Sequence, residues 1–366
     1  METVDVAIIG GGPAGASLAI ALADGGRSGR SVAVIERSGY DVARIGETLP
    51  PEARVPLAQL GVWDRFLDQG HTPSPRTSAA WGHEALEENL FIFNPYGNGW
   101  HLDRQRFDAM LASAASDAGA AVHRRARLTS CTLAAPGHWR VAYVCENRPC
   151  QLQARFLVDA TGRACIVSRR QGAVRRRHDC LTAIVGLFDG CQDEPEYGTL
   201  IEASADGWWY SAWLPHGRLV VAFMTDADLL PRAQSRLRPF WLRELASTLH
   251  TRVRTARLAR NEIERPLQWL AAASELLERS GGHGWLAVGD AALSFDPLSS
   301  QGIHKALHSG LLAAATIEAV LRGATGRERE WSLTNTESFD RYLRTRRSYY
   351  GIARRWPEAP FWRRRQ

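Results

Sequence analysis

Three glycines near the start of the chain have the spacing of a phosphate-binding turn. Gly10, Gly12 and Gly15 form a Gly-x-Gly-x-x-Gly pattern directly after the apolar run of residues 4–9. In such a pattern one glycine makes the tight turn, one lets the backbone approach a pyrophosphate, and one lets the helix pack on the strand. The diphosphate then lies on the amides of the helix N-terminus. The pattern therefore predicts a dinucleotide-binding βαβ unit.

A second apolar run, residues 32–35, is followed by Glu36 and Arg37. An acid at the end of this strand is placed to accept hydrogen bonds from a ribose hydroxyl, which favours FAD or NAD over a 2′-phosphorylated cofactor. The same βαβ unit explains the two strands, the acid and the apolar helix face with Leu18 and Leu22. The residues predicted to contact the cofactor in this unit are Gly10, Gly12, Pro13, Ala14, Gly15, Glu36 and Arg37.

Two later apolar strands also end in an acid and a glycine turn. One runs into Asp159 and Gly162, and the other, residues 285–288, runs into Gly289 and Asp290. Each motif alone is equally typical of a strand end before a turn. Three motifs in this order resemble the cofactor fingerprints of the flavoprotein monooxygenase superfamily, which includes aromatic hydroxylases, geranylgeranyl reductases and flavin-dependent halogenases. The resemblance implies FAD as the cofactor, with Asp290 at its ribityl or ribose hydroxyls and Asp159 near its pyrophosphate.

The same resemblance implies an α/β (α+β) fold. It combines a Rossmann-like FAD-binding domain of the p-hydroxybenzoate-hydroxylase type with an inserted β-sheet substrate domain and a C-terminal helical segment. A length of 366 residues, 45% of them hydrophobic, exceeds what one small core needs and agrees with this organisation. The expected division is residues 1–75, 100–178 and 280–323 for the FAD-binding domain, 76–99 and 179–279 for the substrate domain, and 324–366 for the helical segment.

Aromatic side chains are concentrated near the middle of the chain. Residues 207–215 read Gly-Trp-Trp-Tyr-Ser-Ala-Trp-Leu-Pro, within a region whose alternating pattern predicts strands. Strand alternation sends Trp209 and Trp213 to one face and Trp208 and Tyr210 to the other. One face should belong to the core, and the other could line a substrate pocket. Trp209 and Tyr210 are therefore candidate catalytic residues.

Two further segments are placed at the flavin by the resemblance. In the halogenase-like branch of the superfamily, a segment similar to Gly46-Glu47-Thr48 runs beside the isoalloxazine ring. Family members also carry an arginine similar to Arg104 at the cofactor edge, where an amphipathic helix begins. Gly46 and Arg104 are therefore expected cofactor contacts, and Glu47 is a candidate active-site residue. An acid at a helix entry, close to the helix dipole, is the alternative interpretation of Glu47.

Residues 295–307 are the most family-specific part of the sequence. Ser299 or Ser300 can cap a helix here, and its free amides would face the pyrimidine end of the flavin, where the positive dipole can stabilise a reduced, anionic ring. The resemblance puts Pro297 at the ring and Gln301, Gly302 and Ile303 at its carbonyl edge. His304, in the same stretch, is a candidate catalytic residue by its position.

Taken together, these motifs resemble the LodB- and GoxB-type flavoproteins that mature tryptophylquinone enzymes. The implied activity is that of an FAD-dependent monooxygenase or oxidoreductase acting on an electron-rich aromatic ring, a Trp or Tyr residue of a partner peptide or protein. The implied chemistry is reduced FAD reacting with O2 to a flavin C4a-hydroperoxide, whose distal oxygen passes to the ring. Because no second strand-coupled Gly-x-Gly-x-x-Gly is visible, the reducing equivalents are expected from transiently bound NAD(P)H or from a separate flavin reductase.

Two departures separate the chain from halogenases. Halogenases of this superfamily carry Gly-Trp-x-Trp-x-Ile-Pro, whereas this chain has Tyr210 and Ala212 at the two tryptophan positions. They also need a lysine between flavin and substrate, and Lys305, the only lysine, comes just after Gly302, which the resemblance places at the flavin. Halogenation is therefore a lesser alternative to a small-molecule aromatic hydroxylase or dehydrogenase. A non-catalytic flavin-binding maturation chaperone is the alternative from outside the enzymes.

Charge and motif content exclude further classes. The formal net charge is +6, with arginine runs at 169–170, 175–177 and in the tail from 341 to 365. A solvated surface explains such runs, with an acidic partner as the alternative. None of the usual nucleic-acid reader motifs is present. With no apolar stretch of about 18 residues and a strand that starts almost at once, we expect a cytoplasmic protein without a membrane span.

The cysteines and histidines point to neither disulfides nor a metal. Six cysteines, Cys191 among them, form no Cys-x-x-Cys pair, which fits reduced thiols in a large intracellular protein. His304 and His308 share a helix face but lack the intervening glutamate of a zincin. We therefore expect no metal site.

Overall fold

The chain alternates strands and helices along almost its whole length. The computed structural model describes residues 2–23, 29–135, 137–189, 197–256, 258, 262 and 265–366. The α-helices are α1 (Pro13–Ala23), α2 (Arg54–Gln59), α3 (Trp63–Leu67), α4 (Arg104–Asp117), α5 (Ile166–Arg170), α6 (Leu237–Ala246), α7 (His250–Thr255), α8 (Gly302–Leu321), α9 (Arg327–Tyr350) and α10 (Pro360–Arg363). This mixture confirms the α/β (α+β) class.

The strands are mostly short and fall into two large and two small sheets. They are β1 (Glu2–Ile9), β2 (Val32–Ile35), β3 (Thr48–Leu49), β4 (Thr72–Ser74), β5 (Arg76–Ala80), β6 (Glu87–Leu90), β7 (Gly99–His101), β8 (Ala121–His123), β9 (Ala126–Ala135), β10 (His138–Cys145), β11 (Arg148–Asp159), β12 (Arg175–Arg177), β13 (Leu181–Phe188), β14 (Thr199–Ser204), β15 (Gly207–Leu214), β16 (Arg218–Asp226), β17 (Gln268–Ala271), β18 (Glu275–Leu277), β19 (Gly281–Gly282), β20 (Trp285–Ala287) and β21 (Leu293–Ser294). The small sheets are β3-β7-β4 and β12-β18-β21.

The first large sheet is built around β1. Its order is β19-β20-β11-β1-β2-β8, with β20, β11, β1, β2 and β8 parallel, and β9 and β10 form an antiparallel arm on β11. Ile9 is level with Ile35 and Asp159, and Asp159 is level with Ala287. The carboxyl ends of these strands therefore share one edge, where ligands of open parallel sheets bind. The βαβ unit predicted from the glycine pattern is confirmed.

The second large sheet has the order β17-β13-β16-β15-β14-β5-β6. The strand with the aromatic residues, β15, lies inside this sheet and pairs with β14 and β16. Trp209 and Trp213 pack in a core with Phe223, whereas Trp208 and Tyr210 lie against a different cluster on the opposite face. The predicted alternation of faces along β15 is confirmed.

The C-terminal segment packs on that opposite face of the second sheet. Tyr350, Phe361 and Trp362 are fully buried there, and the Trp362 indole donates to the Ser204 carbonyl at 2.9 Å. Arg365 also forms a buried ion pair with Asp226, with Nη2 2.5 Å from Oδ1. The sequence of residues 342–362 alone is equally consistent with a helix that closes over the substrate domain and with a surface helix, and the burial of these side chains supports the first. The division of the chain into domains stays a proposal, with one large sheet in each part.

Within the described residues, none of the helices has the length and apolar character that a membrane span requires. Five cysteines among these residues are free thiols, and Cys191 lies outside the described residues.

Replacing Trp362 with alanine should lower the free energy of unfolding by about 3–5 kcal/mol, because a fully buried indole is lost and the Ser204 carbonyl loses its donor. Urea unfolding followed by circular dichroism measures the change. The matched control is Tyr349→Ala, since the Tyr349 side chain is exposed and should cost little. Equal losses of unfolding free energy in the two variants would contradict the burial of Trp362 against the second sheet.

Candidate active site

The loop after β1 is held by side chains of the βαβ unit itself. The Gly11 amide donates to Glu36 Oε2 at 2.7 Å, and the Tyr40 hydroxyl donates to the Gly11 carbonyl at 2.9 Å. Burial raises the pKa of Glu36, but hydrogen bonds from Ser38 and Gly11 and the charge of Arg44 outweigh it, so the pKa lies below its ordinary value. Glu36 is therefore ionised at neutral pH and fixes the shape of the loop. Its contact with a ribose stays a prediction.

Gly12 is the point where a ligand can approach this loop. A Cβ added to Gly12 would have only the Arg44 guanidinium within 4 Å, at 3.9 Å, whereas a Cβ on Gly15 would lie 2.0 Å from the Gly10 carbonyl oxygen. Gly12 is thus open to a close approach, and Gly15 lets the helix pack on the loop. The first turn of α1 contains Pro13, Ala14 and Gly15, and Arg37 is exposed beside the loop's partner strand.

Two arginines share one buried carboxylate between this loop and the segment that begins at Gly46. Arg104 donates through Nε and Nη2 to the two oxygens of Asp108, each at 3.1 Å, and Arg44 Nη1 donates to Asp108 Oδ2 at 3.1 Å. Arg44 also donates to Glu36 Oε1 at 3.2 Å, and Arg104 Nη1 donates to the Gly46 carbonyl at 2.9 Å. These contacts connect the predicted ribose end of the site with the predicted flavin end.

Asp159 uses both carboxylate oxygens inside the protein. Oδ1 accepts from the amide and the hydroxyl of Thr161, at 3.0 and 2.6 Å, and Oδ2 accepts from the amide and the hydroxyl of Ser168, both at 2.7 Å. These bonds shape the turn at Gly162, where an added Cβ would meet nothing within 4 Å. The turn therefore leaves space at the carboxyl edge of the sheet. The predicted position of Asp159 near a pyrophosphate stays a prediction.

Lys305 holds Asp290 in place. Its Nζ donates to Asp290 Oδ1 at 2.8 Å and to the Leu293 carbonyl, and lies 4.7 Å from the centroid of the Phe295 ring. Burial raises the pKa of Asp290, but the charges of Lys305 and Arg163 outweigh it and leave the pKa below its ordinary value. The Asp290 side chain remains 36% exposed. It is therefore an ionised carboxylate with one oxygen fixed and one side open to a ligand.

The helix α8 begins without a side-chain cap. Its N-cap residue is Gln301, which makes no capping hydrogen bond. The expectation that Ser299 or Ser300 caps this helix is wrong, because the N-cap position falls on Gln301. The Ser299 hydroxyl lies two residues earlier, where it donates to the Asp296 carbonyl at 2.9 Å and accepts from the Gln301 amide at 3.4 Å. Ser300 has a left-handed φ of 50° instead of the extended backbone typical of an N-cap residue. The amides of the first turn are thus left for a ligand, as the amide-rich end of a helix can bind anionic or carbonyl oxygen.

The residues predicted around this helix start differ in exposure. Pro297, Gln301 and Gly302 are exposed, and an added Cβ on Gly302 would meet nothing within 4 Å. The Ile303 side chain is buried in the core, so Ile303 can offer only its backbone to a ligand. His304 lies beside His308, with ring centroids 6.2 Å apart, and burial lowers its pKa. Its catalytic role stays a prediction.

Tyr210 meets Thr48, the residue after Glu47, although 162 residues separate Tyr210 from Thr48 in the sequence. The Tyr210 hydroxyl and Thr48 Oγ1 are 2.5 Å apart, and Glu47 Oε2 accepts from the Gly46 amide at 2.8 Å. Burial raises the pKa of Glu47 to about 7, because the hydrogen bond from the Gly46 amide and the charge of Arg104, which both lower the pKa, do not offset it. Burial and the Glu47 charge also raise the pKa of Tyr210. Glu47, whose carboxyl group titrates near neutral pH, is thus next in sequence to the hydrogen-bond partner of a tyrosine hydroxyl that stays protonated. A carboxyl group with such a pKa is suited to proton transfer.

Trp209 is not brought to this pair. Its ring is fully buried, with the Phe223 centroid at 4.8 Å and the Trp241 centroid at 5.2 Å. It lies on the face of β15 opposite to Tyr210. The position of Trp209 therefore gives no support to a direct catalytic role, which stays a prediction.

A cleft opens next to Glu47 between elements of both parts of the chain. The 43–47 segment and the start of α4 line one side, and Leu187, Leu214 and Arg218 of the second sheet line the other. With Gly12 open, Asp290 ionised and the first turn of α8 uncapped, the residues fit a long bipartite cofactor such as FAD. The glycine loop, residues 10–15, would bind the diphosphate of FAD, and the first turn of α8 would bind its ring. Asp290 would bind the hydroxyl groups between them.

Sequence reasoning missed the charged residues that support these groups. Asp108, Arg44 and Arg163 carried no motif, because the contacts that join Arg44 to Asp108 and Arg163 to Asp290 span 64 or more residues of sequence. Lys305 had one signal: it is the only lysine among 45 lysines and arginines. Residues with such long-range partners can be found only when the fold brings the partners together.

A comparison with protein families decides the class. The family described as an FAD binding domain matches residues 3–335, which is most of the chain. The chain belongs to this FAD-binding family. It is therefore a flavoprotein of the FAD-dependent oxidoreductase and monooxygenase type, and FAD is its cofactor.

Relatives of this flavoprotein include both oxidoreductases and halogenases. LodB of Marinomonas mediterranea, named as an FAD-dependent oxidoreductase, is 30% identical over 100% of this chain and 97% of its own length. The solved structure of the peptidyl tryptophan dihydroxylase QhpG, essential for tryptophylquinone cofactor biogenesis, has a TM-score of 0.82 and 26% identity, over 100% of this chain and 79% of that one. The chondrochloren halogenase CndH has a TM-score of 0.87 and 26% identity, over 100% and 86%.

The buried position of Glu47 should make the stability of this flavoprotein depend on pH. The folded-state pKa of about 7 lies above the ordinary value of 4.5, so the folded state retains a proton that the unfolded state loses. The contribution of Glu47 is therefore most favourable below pH 4.5 and is lost as the pH rises to 7, by roughly 3 kcal/mol. Urea unfolding of wild type and Glu47→Gln at pH 5, 6 and 7 measures this as a difference between the two proteins. A constant difference across that range would show that Glu47 is not perturbed.

Replacing Lys305 with methionine should weaken FAD binding about tenfold, because Asp290 loses the cation that orients it and keeps it ionised. Titration of the apoprotein with FAD, followed by flavin fluorescence, measures the dissociation constant. Arg322→Met is the matched control, since Arg322 ends the same helix and its side chain is 68% exposed. An unchanged dissociation constant in Lys305→Met would count against a role of Asp290 at the cofactor.

Proposed function

We propose that this flavoprotein hydroxylates or oxidises a tryptophan, or a tyrosine, of a partner peptide or protein. The observation that carries the proposal is the likeness, over the whole chain, to the peptidyl tryptophan dihydroxylase QhpG. The full-length similarity to LodB supports it. Glu47, which lines the cleft, supplies a proton acceptor of the kind that an aromatic hydroxylation needs.

The residues of this chain have separate tasks in the proposed reaction. Bound FAD, together with O2 and electrons from NAD(P)H or a flavin reductase, supplies the oxidising chemistry. Asp290 and the first turn of α8 hold the cofactor. Tyr210 keeps its hydroxyl proton and shares a hydrogen bond with Thr48. Glu47 accepts the proton that the ring carbon releases when a hydroxyl group replaces its hydrogen, since its pKa of about 7 suits a general base at neutral pH.

One observation speaks against halogenation. Halogenases of the superfamily need a lysine between flavin and substrate. The only lysine of this chain instead donates to Asp290 Oδ1 and to the Leu293 carbonyl. Lys305 is thus engaged at the predicted ribityl end of the cofactor and is 13% exposed. The likeness to CndH nevertheless favours halogenation as a second candidate function.

Incubation of the purified flavoprotein with FAD, a flavin reductase, NADH and heavy-isotope O2 should add one labelled oxygen atom per hydroxylation to a Trp-containing partner polypeptide. Mass spectrometry of the digested polypeptide locates the labelled residue. The Glu47→Gln variant should bind FAD normally but lower the rate about a hundredfold, because the general base is lost.

Three other outcomes would redirect the proposal. Label in free tryptophan or a phenol, with none in the polypeptide, would indicate a small-molecule hydroxylase. A halogenated product when bromide is present would indicate a halogenase. Bound flavin without turnover of any aromatic substrate would leave the maturation chaperone. A Glu47→Gln variant with the rate of the wild type would remove Glu47 from the mechanism.

A further inference from the structure

The flavin loop, defined here as residues 296–301, is anchored by a helix that follows the FAD-binding part of the chain. Its first residue, Asp296, is 1% exposed. Asp296 Oδ2 accepts from the Tyr350 hydroxyl at 2.7 Å and from Arg346 Nε at 3.1 Å, and the Asp296 amide donates to the Tyr342 hydroxyl at 2.8 Å. All three partners belong to α9. Asp296 Oδ1, in turn, accepts from the amide of the loop residue Leu298 at 3.0 Å.

The three partners form one face of α9. Tyr342, Arg346 and Tyr350 are spaced four residues apart, and residues with this spacing lie above one another on a helix. Arg346 also pairs with Asp179 through Nη2 at 3.1 Å. A buried carboxylate with charge-assisted hydrogen bonds from two side chains of one helix leaves little freedom for the loop that it begins.

The residue before the loop is held by the same helix. The Phe295 ring stacks on Tyr342, with centroids 4.0 Å apart and an interplanar angle of 11°. Lys305 Nζ, which binds Asp290, lies 4.7 Å from the Phe295 centroid. The helix α9 thus contacts the first residue of the loop and the residue before it, and the latter also contacts the cation that holds Asp290.

The far end of α9 is fixed to the second large sheet. The Trp208 indole donates to the Tyr350 hydroxyl at 3.0 Å, and Tyr350 lies in the aromatic cluster with Trp81 and Trp362. Trp208 and Tyr210 lie on the same face of β15. Through Tyr350, the flavin loop and the strand with Tyr210 are therefore held against a common anchor.

We propose that Arg346 and Tyr350 are positioning residues that set the flavin loop relative to the strand carrying Tyr210. They act through Asp296 and touch neither cofactor nor substrate. The inference rests on the flavin site proposed above, and it assigns a role to the C-terminal helix that goes beyond packing. If it holds, loss of the Tyr350 hydroxyl weakens and disturbs the bound flavin without removing any group that contacts it.

Tyr350→Phe tests the proposal, because it removes the hydroxyl and keeps the ring in its cluster. We expect the FAD dissociation constant to rise about tenfold, the effect of losing roughly one charge-assisted hydrogen bond, and the visible spectrum of the bound flavin to shift. Flavin fluorescence titration of the full-length apoprotein gives the constant. Tyr349→Phe is the matched control, since the Tyr349 side chain is exposed on the same helix end and should leave both readouts unchanged.

Arg346 provides the second test if Tyr350→Phe fails to fold. Arg346→Met should weaken FAD binding in the same way, and Arg346→Lys should recover part of it, because a cation again faces Asp296. A lower melting temperature of the apoprotein with unchanged FAD affinity and spectrum would overturn the proposal, since that is the result of a purely structural contact. Failure of the wild type itself to bind FAD would overturn the flavin site, and with it this inference.

Discussion

The carboxylate of Asp108, buried on α4, connects the two ends of the cofactor site. It binds Arg104 with both oxygens and Arg44 with one, and these arginines extend to Gly46 on one side and Glu36 on the other. A buried carboxylate without a cationic partner is unfavourable, so the two guanidinium groups are needed as much as the acid. Their planar donors reach a carboxylate and a backbone carbonyl at once, which one lysine ammonium could not do with the same directionality. The glycine loop and the active-site segment are therefore fixed relative to each other before any ligand binds.

The opposite side of the site is fixed by a different carboxylate. Asp296 is held by the C-terminal helix, and Asp290, six residues earlier, is held by Lys305. The two acids differ in exposure, because Asp296 is enclosed whereas Asp290 stays open on one side. This difference matches their tasks: an enclosed acid can fix a loop, and an open one can bind a hydroxyl group. Preorganised polar groups of this kind lower the cost of ordering the site when a ligand enters.

Burial has opposite consequences for two acids in the same site. Burial raises the pKa of both, but Asp290 faces three cations, Lys305, Arg163 and Arg175, and remains ionised, whereas the Gly46 amide and the charge of Arg104 do not compensate Glu47. Glu47 therefore titrates near neutral pH, where a group can both take up and release a proton. Two carboxyl groups with separated pKa values are typical of sites that both bind and transform a substrate. The electrostatic surroundings, and not the residue type, assign these roles.

Local patterns in the sequence were sufficient to predict the elements whose structure depends on residues close together in the chain. The glycine spacing before α1, the apolar strand ending at Glu36 and the alternation of Trp209 and Tyr210 along β15 were all predicted correctly, because backbone geometry and side-chain period depend on near neighbours. The serine cap of α8 was predicted wrongly, since the turn before that helix leaves Ser299 two residues ahead of the N-cap position, which Gln301 occupies.

Only the tertiary structure decided which distant side chains meet. Tyr210 reaches Thr48 beside Glu47, and Tyr350 reaches Asp296, although the sequence gives no sign of either contact. These pairings depend on how two sheets and a C-terminal helix pack, and packing is a property of the whole chain. Burial, and with it the pKa of Glu47, is likewise set by residues that no local pattern connects. The sequence alone therefore determined the cofactor-binding unit, whereas the fold determined the chemistry placed beside it.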